Sequence, residues 1–124
     1  MITATHVVRL YSDANGDSHF EEVEMPMTEI QYSPPAPAIH LSEPIASSQV
    51  SWFRFPADWG DAAHPSPRRQ LAVFLDGEVE VTTSTGATRI FRTGDCLLME
   101  DTLGAGHGTR PLGGQALGLV LALE

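Results

Sequence analysis

The sequence predicts an all-β domain, a sandwich or barrel built from short strands. Two observations carry this. From residue 49 to residue 123, apolar and β-branched runs alternate with Gly-, Pro- and Asp-containing turns. No stretch shows sustained helical periodicity, and no internal repeat is present. A third observation bears on function. His64, Ser66, Arg68 and Gln70 fall at every second position, the spacing that lines one face of a strand with polar groups.

The elements follow in order. Residues 7–11 form a short β-rich run, and Asp13-Ala14-Asn15-Gly16-Asp17 reads as a turn. Residues 20–24 are strand-like but acidic, as suits an edge strand. Ser33-Pro34-Pro35-Ala36-Pro37 fits neither helix nor central strand, because proline fixes φ and lacks a donor. Residues 32–48 therefore read as an extended arm crossing the domain or a neighbouring subunit, with Ile39, Leu41 and Ile45 favouring packing.

Residues 49–55 form a strand carrying Trp52, Phe53 and Phe55, and a loop spans 56–67. Strands are expected over 69–75 and 78–83, separated by an Asp76-Gly77 turn. Ser84-Thr85-Gly86 makes a hairpin turn to a strand over 88–92. Thr93-Gly94-Asp95 turns into a strand over 96–99, a loop runs to His107, and 115–123 is the last strand.

A chain of 124 residues fits one domain. Its 42% hydrophobic and 19% charged residues suit a packed core rather than disorder. The net charge of −9 argues against nucleic acid and against an anionic membrane surface as partners. Lysine is absent, and all seven basic residues are arginine. These either balance surface charge or form a local anion-binding spot. The single cysteine, Cys96, excludes an intrachain disulfide and sits in an apolar run as an inert thiol. Neither a signal peptide nor a membrane-length apolar run is read from the sequence, so a cytoplasmic protein is expected. His6, His19 and His40 are expected at the surface.

The segment from His64 to His107 resembles the paired motifs of the cupins. His64 matches the first histidine of the first motif, Ser66 stands at the second histidine, Gln70 at the glutamate and Gly77 at the glycine. Gly94, Asp95 and His107 match the second motif. The resemblance covers about residues 49–123 and identifies the chain as a small single-domain cupin with the RmlC-like jelly roll. It implies a cupin-type double-stranded β-helix over 49–124, preceded over 1–48 by N-terminal strands and the Pro-rich arm. It also implies pairing into a homodimer.

Metal-binding cupins offer three histidines and one glutamate. Here His64, Gln70 and His107 remain as candidate ligands, a reduced set for one weakly held divalent ion (Fe, Mn, Ni or Zn) or for none. Glu100 or Asp101 adds a carboxylate if the loop before His107 folds inward. The alternative is a barrel in which these side chains hydrogen-bond to one another or to water.

On the alternating face, Arg68 points into the pocket and needs an anion or a carboxylate there, with Glu100 and Asp101 as internal candidates. Trp52 and Arg54 share a parity and are expected to join it. These residues suggest an enzyme of isomerase, epimerase, lyase or dioxygenase type on a small carbonyl- or carboxylate-bearing molecule. His64 or His107 serves as base or metal ligand, Arg68 steadies negative charge, and Gln70 orients substrate or water. The competing reading is a non-catalytic barrel that binds or senses a small anion.

Overall fold

A computed structural model describes residues 4–124. Residues 1–3, the start of the expected N-terminal segment, lie outside the described residues. Eight strands follow one another: β1 (Ala4–Ser12), β2 (Ser18–Ile30), β3 (Ile39–Ser42), β4 (Ser47–Phe55), β5 (Gln70–Thr83), β6 (Thr88–Phe91), β7 (Cys96–Glu100) and β8 (His107–Leu123). The described residues contain no helix, and hence none long and apolar enough to cross a membrane.

The strands run in the order β3-β2-β1-β7-β5-β8-β4, with β6 also paired to β5. All neighbours are antiparallel except β1 and β7, which pair in parallel from Val8–Leu97 to Tyr11–Glu100. The curled sheet turns one face inward. Leu10 from β1, Phe74, Val79 and Val81 from β5, Phe91 from β6, Leu97 and Met99 from β7, and Ala116 from β8 form the core. Phe74 stacks on Phe91 at 5.2 Å and meets Phe53 edge-on at 6.2 Å, which joins β4, β5 and β6 through aromatic contact.

Three expectations are corrected. The Pro-rich segment is a hairpin connection, not an extended arm. Ala36 N donates to Ser33 O at 2.9 Å around a cis Pro34–Pro35 bond, a turn that proline pairs favour. Chain over 39–42 then returns as β3 along β2, with Ile30 opposite Ile39. Asp76-Gly77 is a bulge within one long strand, not a turn. The register against β8 shifts on both sides of Asp76, and Gly77 takes φ 80°. A side chain there would meet the Gln115 carbonyl at 2.6 Å, so this close crossing needs glycine. Finally, β8 begins at His107 rather than near residue 115, because its first half pairs with the second half of β5.

Among the other histidines, His6 is exposed, His19 is half-buried and its Nε2 lies 2.6 Å from Asp13, and His40 is half-buried with Nε2 enclosed and unpaired. The expectation of three surface histidines thus holds for His6 alone. Cys96 is half-buried, and burial, with Asp95 beside it, pushes its thiol pKa up, away from nucleophilic use.

Candidate functional site

The barrel interior opens into a cavity of about 270 Å³. Its walls are mainly apolar: Phe53 and Phe55 from β4, Phe74 and Val81 from β5, Leu97 and Met99 from β7, and Trp59 stacked on Phe55 at 4.4 Å. At the polar end stand Asp61, His64, Ser66, Gln70, His107 and Thr109.

Backbone bonds build that end. Pro65 and Pro67 keep the segment before β5 out of a regular ladder, so it is stitched to β8 instead. His64 and His107 form an isolated antiparallel bridge, with N–H to O distances of 3.1 and 3.0 Å. Gly106, at φ 70°, makes this approach possible, since a Cβ there would lie 2.0 Å from the His64 carbonyl. Ser66 N donates to Asp101 O at 3.0 Å, and Thr109 N donates to the Asp61 carboxylate at 2.6 Å. The two imidazole rings end 5.7 Å apart, centre to centre.

Each ring has its own carboxylate, and the two differ in character. His107 is 5% exposed and Asp101 is 0% exposed. His107 Nδ1 lies 2.5 Å from Asp101 Oδ2, and the Ser66 hydroxyl donates to Asp101 Oδ1 at 2.7 Å. Both carboxylate oxygens are therefore engaged. A carboxylate in this position accepts the Nδ1 proton and fixes the tautomer. Nε2 has no hydrogen-bond partner among the described residues, and His107 lines the cavity.

His64 lies at the rim and is exposed. Its Nδ1 donates to the Pro65 carbonyl at 2.9 Å and its Nε2 to Asp61 Oδ2 at 2.6 Å. Two acceptors call for two N–H groups, which is the imidazolium. The bond to Pro65, then the bond to Asp61, hold the His64 pKa above its ordinary value against the opposing effect of burial.

This geometry does not fit a resident metal. Both His64 nitrogens face acceptors, and the Ser66 hydroxyl is turned to Asp101. The Asp101 oxygens are taken, and Gln70 offers a neutral amide. The Asp61 oxygens are likewise taken by His64 and Thr109 N, so among the described cavity residues only His107 Nε2 remains as a strong donor, one ligand where a divalent ion needs three or more. Among the described residues no group of three or more His, Cys, Asp or Glu side chains is placed to hold an ion. His64, Gln70 and His107 all line the cavity, but His64 reaches it with both ring nitrogens already bonded.

Other expected site residues lie elsewhere. Arg68 sits in the exposed bend before β5, outside the main cavity, because the alternation through Pro65 and Pro67 is not strand alternation. Trp52, 68% exposed, and Arg54 face outward on β4, while Phe53 and Phe55 face in. Glu100 turns away from the cavity and accepts from Arg9 Nε and Arg69 Nε. Burial pushes its pKa up, and the bonds from Arg69 and Arg9 outweigh this and hold it below the ordinary value. Of the two candidate carboxylates, only Asp101 bonds cavity residues, Ser66 and His107.

Sequence reasoning missed Asp61, Trp59 and Thr109 as cavity residues. The spacing of Asp61 and His64 was the available signal, and it is weak inside a loop.

A family model for the EutQ-like cupin domain matches residues 46–109. Among solved structures, the chain is similar to a Cupin 2 conserved barrel domain protein from Salinispora arenicola. The identity is 17% and the TM-score 0.52, over 81% of this chain and 76% of that one. It is also similar to the cupin domain of Schizosaccharomyces pombe Cnp3, at 14% identity and TM-score 0.48, over 100% of this chain and 86% of that one. Of these two, the first alone is similar enough in shape to speak to the fold. No curated protein matches the sequence. The matched span runs from the start of β4 to the first residues of β8 and so contains the paired histidines; the chain belongs to the EutQ-like cupin family.

Proposed function

We propose that this cupin catalyses metal-independent proton transfer at a carbon next to a carbonyl group, as an isomerase or epimerase does. The observation that carries the reading is the buried Asp101–His107 pair, with Nε2 unpartnered among the described residues and His107 lining the cavity. In this reading His107 Nε2 takes the proton from carbon and returns it. Asp101 stabilises the imidazolium so formed, and Ser66 holds Asp101 in place. The electron pair moves to the carbonyl oxygen, giving an enolate.

Gln70, the amide that lines the cavity, donates to that oxygen in this reading. Its amide makes only a long contact to Met99 Sδ at 3.9 Å. His64 at the rim does not donate to the substrate, since its protons go to Asp61 and Pro65 and its charge is offset by the Asp61 carboxylate. The walls favour a small, largely apolar substrate, and their apolar surface strengthens each of these interactions by excluding water.

The setting we propose is a cytoplasmic homodimer. The exposed Ile30, Tyr32, Ile39, Val50 and Trp52, and the edge strands β3 and β4, support contact between two copies. Sedimentation equilibrium tests this, with a dimer expected and a monomer contradicting it.

The catalytic reading is tested by incubating the protein in D2O with a panel of small aryl and alkyl ketones and aldehydes, and following deuterium incorporation by NMR. Incorporation that falls at least about a hundredfold in H107Q supports it. Saturable binding with no exchange in the wild type contradicts it and favours a non-catalytic binding barrel.

A further inference from the structure

We propose that the ligand carries a carboxylate, held by Arg68 in a second, smaller cavity that adjoins the first at Gln70. This rests on the reading of the main cavity as the ligand site. The second cavity holds about 140 Å³ and is lined by Gln49, Ser51, Arg68, Gln70, Val120 and Ala122. Gln70 and Val120 belong to the walls of both cavities. The two spaces thus adjoin at these residues, where Gln70 of β5 lies opposite Ala122 of β8.

Their chemistry differs. The main cavity is mostly aromatic and aliphatic away from its polar end, whereas the second is lined by Arg68, Gln49 and Ser51 beside the shared Gln70. Ser51 and Gln49 share parity with Phe53 and Phe55, so one face of β4 passes from apolar to polar along its length.

Charge pairing and placement at a cavity together single out Arg68. In a chain of net charge −9, Arg9, Arg69, Arg89, Arg92 and Arg110 each pair with a carboxylate. Arg54 and Arg68 have no such partner among the described residues; Arg54 faces outward on β4 and lines neither cavity, which leaves Arg68 as the unpaired arginine at a cavity. A guanidinium beside a polar cavity, left unpaired among so many acids, presents its fork to an anion from outside the chain.

A carboxylate fits better than a phosphate. One planar fork matches two carboxylate oxygens, and a single cation in an acidic protein does not balance a dianion. Gln70, whose amide bonds only Met99 Sδ at 3.9 Å, lies where the apolar body of such a ligand joins its carboxylate.

The test uses matched pairs of probes. Phenylacetate, 3-phenylpropanoate and 4-phenylbutanoate, each beside its neutral amide, are titrated by NMR into the wild type, R68Q, R68K and the surface control R92Q. At least one acid is expected to bind the wild type about tenfold more tightly than its amide. R68Q removes that preference and leaves amide binding unchanged, R68K restores part of it, and R92Q retains all of it. Equal affinity of acid and amide, equal loss of both in R68Q, loss of the preference in R92Q, or no saturable binding of any pair overturns the proposal. H107Q separates the two readings. It abolishes exchange if His107 is the base and leaves the acid-over-amide preference in place.

Discussion

The carboxylate of Asp101 sits 2.5 Å from His107 Nδ1 with both residues out of solvent, and it takes the Ser66 hydroxyl on its other oxygen. An amide at position 101 would offer one acceptor where two donors point. D101N is therefore expected to lose about 2–3 kcal/mol of stability, and S66A about 1 kcal/mol. Urea unfolding of the three proteins at neutral pH measures both. Equal stability of D101N and wild type would remove the buried pair from the account.

His64 carries its charge for a different reason, the donation of both ring protons to Pro65 and Asp61. Its pKa is raised in the folded chain, so its stabilising contribution is fully present below the unfolded value of about 6.5. That contribution is lost as pH rises through the folded pKa. The stability gap between wild type and H64Q should be wider at pH about 5.5 than at pH about 8.5, in the window set by that raised value. NMR titration of the ring in wild type and D61N gives the same answer by another route. The D61N midpoint should fall toward the ordinary value. A wild-type midpoint below that of D61N contradicts the assignment.

Glu100 ties β7 to Arg9 of β1 and to Arg69 beside β5. Its folded pKa is lowered, so it stabilises above the unfolded value of about 4.3 and ceases to do so as pH falls through the folded value. E100Q should be weaker than wild type by about 1–2 kcal/mol at pH about 7, a figure kept small because the arginines are partly exposed. The gap should close in acid. A gap that persists when both side chains are neutral would point to packing instead of charge.

Gly106 is the backbone condition for the site. At φ 70°, with His64 carbonyl atoms 2.0 Å from where a Cβ would lie, G106A must break the bridge between His64 and His107. A loss of at least about 3 kcal/mol is expected by thermal or chemical unfolding. Collapse of the His107 amide's protection in hydrogen exchange should accompany it. Near wild-type stability would show that the loop has another way to meet β8.

The hairpins over 78–91 were legible because their turn residues and alternation agree, with Ser84-Thr85-Gly86 between two β runs. The long β5 was not legible, because its bulge at Gly77 is matched by a crossing of β8 that only tertiary pairing reveals. The histidine pair was readable from the cupin motifs. The state of each histidine was not, since it depends on Asp61 and Asp101 being brought to the rings by loops. On β4 the sequence offers aromatics to both faces, so parity alone did not decide between Trp52 and Phe53. At Arg68 the alternation was real in the sequence but had no strand beneath it.

The most direct measurement is the protonation pattern of His107, read from long-range 15N–1H NMR correlations at neutral pH with and without added zinc. A proton on Nδ1, held by Asp101, and an unprotonated Nε2 are expected in the wild type. This preference is expected to be lost in D101N, and zinc is not expected to draw His64 and His107 into joint coordination. A proton on Nε2, or zinc shifting both rings together as ligands, would contradict this reading of His107.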